Sequence, residues 1–333
     1  MLGALAVAFC VALIVAGLYL RLARGRVLDL PNERSSHDRP VPRGGGVAIL
    51  AGFIVGLVVW LLSGNALSIR AIGWLIGALL IAGVSFIDDL RSLPAGLRLG
   101  VHVLGALLLT AAGAQSGELS LAVAVPLAFA WVALVTNVYN FMDGIDGLAA
   151  SQAVFAGAAL AIAGTFVHNP LVAIGGGLCA AASAGFLIYN LPPARLFMGD
   201  VGSTFLGFNF AGLSLLGNLG VGGGKLPIEF GVVVLAPFLF DSLVTLGRRI
   251  LRGERWYEAH RSHFYQRLVV RGLSHAQVTA LYAGLAVLAA AAALGGLVLD
   301  QPLRQALAVV AYLPMLAVVL LVWRLESSHV VTP

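Results

Sequence analysis

Eleven apolar runs long enough to cross a bilayer follow one another along this chain, and no other feature restricts its fold so tightly. They cover approximately residues 2–21, 46–63, 71–87, 99–114, 120–137, 148–167, 171–189, 203–218, 227–246, 276–297 and 303–323. The hydrocarbon core of a bilayer is about 30 Å thick, so a crossing helix needs about 20 residues. Lipid offers the backbone no hydrogen-bond partner, so each crossing must close its own bonds as a helix. Composition points the same way, with 60% of the 333 residues hydrophobic and 11% charged. Soluble domains carry about 45–50% and about 25%. A soluble enzyme, a secreted module and a disordered chain are thereby excluded. The expected fold class is all-α, a polytopic integral membrane protein of about eleven transmembrane helices forming a single domain over residues 1–333.

Charge then assigns the loops to sides. The first run has no basic stretch before it and is followed by Arg21, Arg24 and Arg26. It therefore reads as a span with its N-terminus outside, not as a cleavable signal. Alternating crossings put loops at about 22–45, 88–98, 138–147, 190–202 and 247–275 in the cytoplasm. Those loops and the C-terminal end hold every basic residue except Arg70, Lys225 and Arg304, as the positive-inside rule requires. Asp88, Asp89, Asp143, Asp146 and Asp200 fall on the same side. Asp241 lies inside the ninth run, about one and a half turns from its cytoplasmic end. Chemistry is expected at the inner membrane surface. The net charge of +5 reflects these loops, and no nucleic-acid partner is expected.

Cys10 and Cys179 sit within apolar runs and read as neither a disulfide nor a thiolate metal site. Many of the 41 glycines sit within the apolar runs and read as close helix packing, and the triplets Gly175–Gly177 and Gly222–Gly224 are given no function.

Five cytoplasmic segments carry the chemistry. Asp88 and Asp89 are adjacent carboxylates where a helix leaves the bilayer, and their repulsion calls for a cation or a proton between them. Arg98 opens the next run at headgroup depth, suited to hold a lipid phosphate or to snorkel. Asn137, Asn140 and Asp143 step by three along a helix end, before Gly144 and Gly147 let the chain unwind. Oxygen-only ligands there suit a hard ion such as Mg²⁺ shared with a phosphate-bearing substrate. Asn190, Phe197 and Asp200 follow around paired prolines, with Phe197 either a core side chain or a base-stacking platform. In the last loop, His260, Arg261 and His263 suit a phosphate cluster, because no third ligand spaces properly for zinc. The first loop, Pro31 to Gly46, is a connector or a phosphate contact.

In this order the segments resemble the polyprenyl-phosphate N-acetylhexosamine-1-phosphate transferases, glycosyltransferase family 4, over essentially the whole chain. The most specific stretches are Asn137 to Leu148, Phe197 to Ser203, and Asp88-Asp89. The peptidoglycan branch carries Pro-Thr-Met-Gly-Gly in the first loop and adjacent histidines in the last. Here those stretches read Pro40-Val41-Pro42-Arg43-Gly44-Gly45 and His260-Arg261-Ser262-His263, which looks like the O-antigen-initiating branch.

The resemblance implies transfer of an N-acetylhexosamine-1-phosphate from a UDP-N-acetylhexosamine to undecaprenyl phosphate, releasing UMP, in the bacterial inner membrane. It implies Mg²⁺, with Mn²⁺ as a substitute, on Asn140 and Asp200. Asp88 and Asp89 become the catalytic acids and Arg98 the lipid-phosphate ligand. Asn137, Asp143, Asp146, Asn190, Phe197, His260, Arg261 and His263 become the nucleotide-sugar set. A homodimer is left open. The alternatives are the phospho-N-acetylmuramoyl-pentapeptide transferase and, from another class, an ion-coupled transporter. A transporter would hold its ionisable residues nearer the bilayer midplane.

Overall fold

The computed structural model describes residues 1–22, 28–29, 40–91, 93–113, 121–255 and 260–328. Most of the first loop and Trp256 to Ala259 of the last lie outside the described residues. The chain forms α1 (Leu2–Leu22), a strand pair β1 (Leu28–Asp29) and β2 (Val41–Pro42), α2 (Gly46–Leu62), α3 (Ile69–Leu90) and α4 (Ala95–Gly113). There follow α5 (Leu121–Phe141), α6 (Leu148–Phe166), α7 (Pro170–Asn190) and α8 (Asp200–Asn218). The rest is α9 (Glu229–Val234), α10 (Ala236–Leu251), α11 (Phe264–Val270), α12 (His275–Gly295), α13 (Gln301–Val310) and α14 (Leu313–Ser328). The antiparallel pair, with Leu28 opposite Pro42 and Asp29 opposite Val41, is the one sheet among the described residues.

Among the described residues each apolar run lies mainly on helix, and the protein is an all-α, multi-pass membrane protein. Seven segments among the described residues are long and apolar enough to cross, from Leu2–Leu22 to Gln301–Ser327, and α2 is a shorter apolar helix. The central helix α8 is not among the seven, for a physical reason. Every residue from Val201 to Ser214 is buried, so the helix meets protein instead of lipid and can carry Ser203, Thr204, Asn209 and Ser214.

Two runs are broken. The ninth stops at Val234 and restarts as α10, because Pro237 lacks an N–H and its ring clashes with the preceding turn. The eleventh is interrupted between Val310 and Leu313, next to Pro314. Elsewhere helices outrun their apolar stretches. α3 reaches Leu90, α5 reaches Phe141 and α8 starts at Asp200, so Asp88, Asp89, Asn140 and Asp200 all sit on helical backbone.

Small residues set the packing. Ala4, Ala8, Ala12 and Ala16 recur every fourth residue on α1 and all are buried. The α2 backbone at Gly52 comes so close that an added Cβ would lie 2.5 Å from the Ala8 carbonyl oxygen. The triplet on α7 addresses three neighbours, because successive helical residues turn about 100°. A Cβ at Gly175 would strike Leu213 of α8, one at Gly176 would strike Leu160 of α6, and one at Gly177 would strike Leu5 of α1. Among lipid tails there is no hydrophobic drive between helices, so this close contact must supply the association.

The central aromatic layer adds edge contacts. Phe53 meets Trp74 at 6.0 Å and Phe205 at 5.2 Å, and each pair adds about 0.5–1.5 kcal/mol.

The α6–α7 contact is testable. Gly176→Val places its Cβ 2.6 Å from that of Leu160 and 2.8 Å from the Gly157 carbonyl oxygen. Overpacking of this kind costs about 1–3 kcal/mol, so the variant should melt at lower temperature in detergent than wild type. Gly83→Ala, which meets nothing within 4 Å, should not.

Candidate active site

The polar ends of the helices meet at one end of the bundle, around the start of α8. Gly199 turns the chain into that helix with φ +74°, a left-handed value that disfavours a side chain. A Cβ there would also lie 2.8 Å from Oδ2 of Asp89. The Asp89 carboxylate accepts from the backbone N–H of Asp200 at 3.1 Å and of Val201 at 3.0 Å. These are donors that a helix start leaves without intrahelical partners. Arg43 closes the group, its guanidinium 3.2 Å from Asp89 and 2.6 Å from Asp200.

The first loop delivers Arg43 by backbone pairing. Phe197 N–H donates to the Pro42 carbonyl at 2.9 Å, and the N–H groups of Gly45 and Gly46 donate to Phe197 and Met198 at 2.8 Å each. The approach continues at Gly46, where a Cβ would lie 2.3 Å from the Cα of Gly202. The described end of this loop is therefore part of the site and not a mere connector. Arg43 was missing from the residues expected to act. Its place beside a glycine triplet was the only signal.

The acidic pair is split. Asp88 and Asp89 take separate partners, because neighbours on a helix point about 100° apart. Asp88 accepts from Leu93 N–H at 2.6 Å and pairs with Arg98 at 3.1 Å, while Asp89 turns to α8 and Arg43. Arg98 keeps nearly half its side chain exposed beside this partner.

Asn140 stands at the same centre, its Oδ1 accepting from the Ser203 hydroxyl at 2.6 Å. The Thr204 hydroxyl lies 2.6 Å from the Asp200 carbonyl oxygen and 2.8 Å from the Ser85 hydroxyl, tying α8 to α3. Asn137 is not brought in. Its exposed side chain donates from the amide to the Ala133 carbonyl one turn earlier on α5.

Asp143 is close enough to feel Arg43, Asp200 and Asp89 while keeping part of its surface open. Burial pushes its carboxyl well above the usual range. The charges of Asp200 and Asp89 add to this shift and Arg43 opposes it.

Asp146 and Asn190 are buried, and Asn190 bonds to backbone on both sides. Asp146 accepts from Ala194 N–H at 2.9 Å and meets His275 at 3.2 Å. Asn190 accepts from Gly147 N–H at 3.1 Å and donates to the Leu196 carbonyl at 3.0 Å. Asn190 thus locks the two glycine-bearing turns together from behind. Phe197 is half-buried, in the chain that pairs with the first loop.

The last loop folds back through α11. The Tyr265 hydroxyl donates to the Phe141 carbonyl at 2.9 Å, joining the loop to the end of α5. Arg267 pairs with Glu326, and both Arg248 and Arg267 lie over the Phe264 ring at 5.6 and 5.3 Å. The rings of His260 and His263 stack at 4.9 Å, with Arg261 between them in sequence. Burial pushes the His260 imidazole down to about 4, helped by His263, Arg249 and Arg248. His260 is therefore a neutral hydrogen-bonding ring at neutral pH and not a cation. Asp241 was expected only as an acid near the end of a span. It pairs instead with His263 at 3.1 Å.

Acids, amides and arginines gather at one end of the bundle, and relatives supply the class: a membrane-embedded transferase. Residues 71–218 match the family described as glycosyl transferase family 4. The chain is 31% identical over 280 residues to the probable undecaprenyl-phosphate N-acetylglucosaminyl 1-phosphate transferase of Bacillus subtilis (strain 168), covering 81% of this chain and 77% of that one. It is 27% identical over 284 residues to the decaprenyl-phosphate N-acetylglucosaminephosphotransferase of Mycobacterium tuberculosis (strain ATCC 25618 / H37Rv), covering 74% and 70%. It is 33% identical over 310 residues to the phospho-N-acetylmuramoyl-pentapeptide-transferase of Mycobacterium bovis (strain BCG / Pasteur 1173P2), covering 75% and 85%. The chain belongs to the polyprenyl-phosphate N-acetylglucosamine-1-phosphate transferase family.

The crowding of carboxylates predicts a trade between stability and function. A carboxyl whose folded-state proton affinity is raised costs stability as pH climbs from its unfolded value to its folded one. Asp143→Asn removes that charge while keeping the shape. The variant should melt above wild type, with a gap that widens as pH rises above the ordinary carboxylate range, and should lose activity. An equal or lower melting temperature at the higher pH would show that these charges are not in conflict.

Proposed function

We propose that the chain transfers an N-acetylhexosamine-1-phosphate from a UDP-sugar to undecaprenyl phosphate, releasing UMP. The reaction takes place at the cytoplasmic face of a bacterial inner membrane, in one unit of eleven spans over residues 1–333. It starts a lipid-linked surface polysaccharide such as O-antigen. The observation that carries this reading is the meeting of Asp89, Asp200 and Arg43 at the start of α8, with Asn140 hydrogen-bonded to Ser203 of the same helix. The Bacillus and Mycobacterium relatives named for N-acetylglucosamine-1-phosphate transfer support it.

In the reaction, an oxygen of the lipid phosphate attacks the β-phosphorus of the donor. The bond from that phosphorus to the bridging oxygen breaks, and UMP leaves with the electron pair. A phosphate monoester has a second pKa near 6, so the acceptor is largely dianionic at neutral pH and needs no general base. Arg98, aimed by its pairing with Asp88, gives the lipid phosphate a charge-assisted partner. Asp89 is occupied by two N–H groups and Arg43, so it serves by holding Arg43 and α8 in place. His260, Arg261 and His263 grip the donor, with Phe197 beside the base.

The oxygen donors of Asp200 and Asn140 fit Mg²⁺, or Mn²⁺ in its place. Mg²⁺ takes one or two protein ligands and completes its shell with phosphate and water. Bound there, the ion would neutralise charge on the diphosphate.

Transfer of phospho-N-acetylmuramoyl-pentapeptide is the second reading, favoured by the similarity to the Mycobacterium bovis relative. The first and last loops argue against it through Arg43-Gly44-Gly45 and His260-Arg261-Ser262-His263.

A membrane assay with radiolabelled donors decides between the two. UDP-N-acetylglucosamine, UDP-N-acetylgalactosamine or UDP-N-acetylfucosamine should label the lipid, and UDP-N-acetylmuramoyl-pentapeptide should not. Asp200→Asn should lower turnover at least about a hundredfold through lost charge stabilisation, with membrane insertion unchanged. Near-normal turnover in that variant would remove Asp200 from the metal site.

Sidedness has its own test. In a Cys10→Ser background, Arg252→Cys should react with an impermeant thiol reagent only from the cytoplasm. Ala66→Cys should react only from outside. The reverse would overturn the orientation drawn from the arginines.

A further inference from the structure

Asp241 on α10 is 1% exposed, yet five donors converge on its carboxylate. Oδ1 accepts from Phe264 N–H at 2.9 Å, from Nδ1 of His263 at 3.1 Å and from the Thr245 hydroxyl at 3.3 Å. Oδ2 accepts from Tyr265 N–H at 3.1 Å and from the Tyr282 hydroxyl. A buried carboxylate is tolerated only when its lone pairs are satisfied in this way. Its partners lie on α10, α11 and α12, so one side chain joins the last loop to two long helices.

The consequence for His263 is specific. A carboxylate only accepts, so the Nδ1 that faces it must carry the proton. Nε2 is then the one ring nitrogen left for another group. The ring cannot turn to exchange the two, because it is 4% exposed and lies against His260, Tyr265 and Phe141 at 4.9, 5.8 and 6.2 Å.

We infer that Asp241 is a positioning residue for the nucleotide-sugar donor, fixing the tautomer and orientation of His263 so that Nε2 meets the donor. This rests on the reading of the last loop as donor-binding. An amide in place of Asp241 would break the arrangement, because its NH2 group must face either the Nδ1 and Phe264 N–H side or the Tyr265 N–H side. Either way a backbone donor of the loop is left unpaired.

Nitrogen NMR of the full-length, ¹⁵N-histidine-labelled protein at about pH 8, above the ordinary imidazole range, reads the tautomer without any substrate. The His263 signals are identified by their loss in His263→Gln. The wild type should be protonated at Nδ1, and Asp241→Asn should weaken that preference, because its NH2 group can take the side that faces Nδ1. The same variant should raise KM for UDP-N-acetylglucosamine about tenfold to a hundredfold while KM for undecaprenyl phosphate stays within about twofold. Tyr282→Phe, which keeps the His263 pair, should leave the tautomer and the donor constant near wild type.

A wild-type ring protonated at Nε2 would overturn the inference even if every variant failed to fold. An equal rise of both constants in Asp241→Asn, or an equal loss in Tyr282→Phe, would reduce Asp241 to a structural role and overturn it as well. His260→Ala separates the two claims. If it raises the donor constant while Asp241→Asn does not, the positioning role alone fails; if neither raises it, the donor reading of the loop fails.

Discussion

The carboxylate of Asp89 accepts the first two N–H groups of α8, and the polar end of the bundle is organised by that contact. A helix start buried among other helices has orphan donors and a positive dipole end, and a carboxylate answers both at once. Because Asp89 is fixed on α3, the contact sets the position of α8 along its axis. Asp200, Ser203 and Thr204 are then delivered within one turn, toward Arg43, Asn140 and Ser85 respectively. The glycines at 199, 46 and 202 permit the approach, since a side chain at any of them would collide with the carboxylate or with facing backbone.

This centre is loaded with like charge. Asp89, Asp143 and Asp200 act on one another across a space that Arg43 alone bridges in ion pairs among the described residues. Such an arrangement is poor for stability and suited to a site that receives further positive charge, or a ligand carrying it. The cost is borne by the packing around it, where α8 is enclosed along most of its length and α6 meets α7 backbone to backbone.

Much of this was legible in the sequence. The apolar runs located the helices because lipid forces a helix wherever about 20 apolar residues adjoin. The glycine triplet on α7 was rightly read as packing. What hydropathy could not reveal was where helices end. The last turn of α3 and the first of α8 are polar, and they hold Asp88, Asp89 and Asp200. Residue type also said nothing of direction. Asp88 and Asp89 look alike in the sequence but serve different partners, and Asn137 and Asn140 differ only in that one faces α8. Arg43 and Asp241 were hidden for a further reason, since their partners lie 157 and 22 residues away in the chain.

Under the proposed reaction, the two substrates would be gripped by parts that are built separately. Asp88 and Arg98 belong to the junction of α3 and α4, whereas His260 to His263 belong to the loop between α10 and α11. Each is held by its own contact, the first by a local ion pair and His263 of the second by Asp241. Their link passes through the α5–α8 centre, because Tyr265 holds the Phe141 carbonyl at one end of it and Asp89 holds α8 at the other. A phosphoryl transfer needs its attacking and leaving oxygens in line across one phosphorus. A frame of helix ends, fixed by carboxylates and short glycine contacts, can hold two substrates in that line without either grip moving the other.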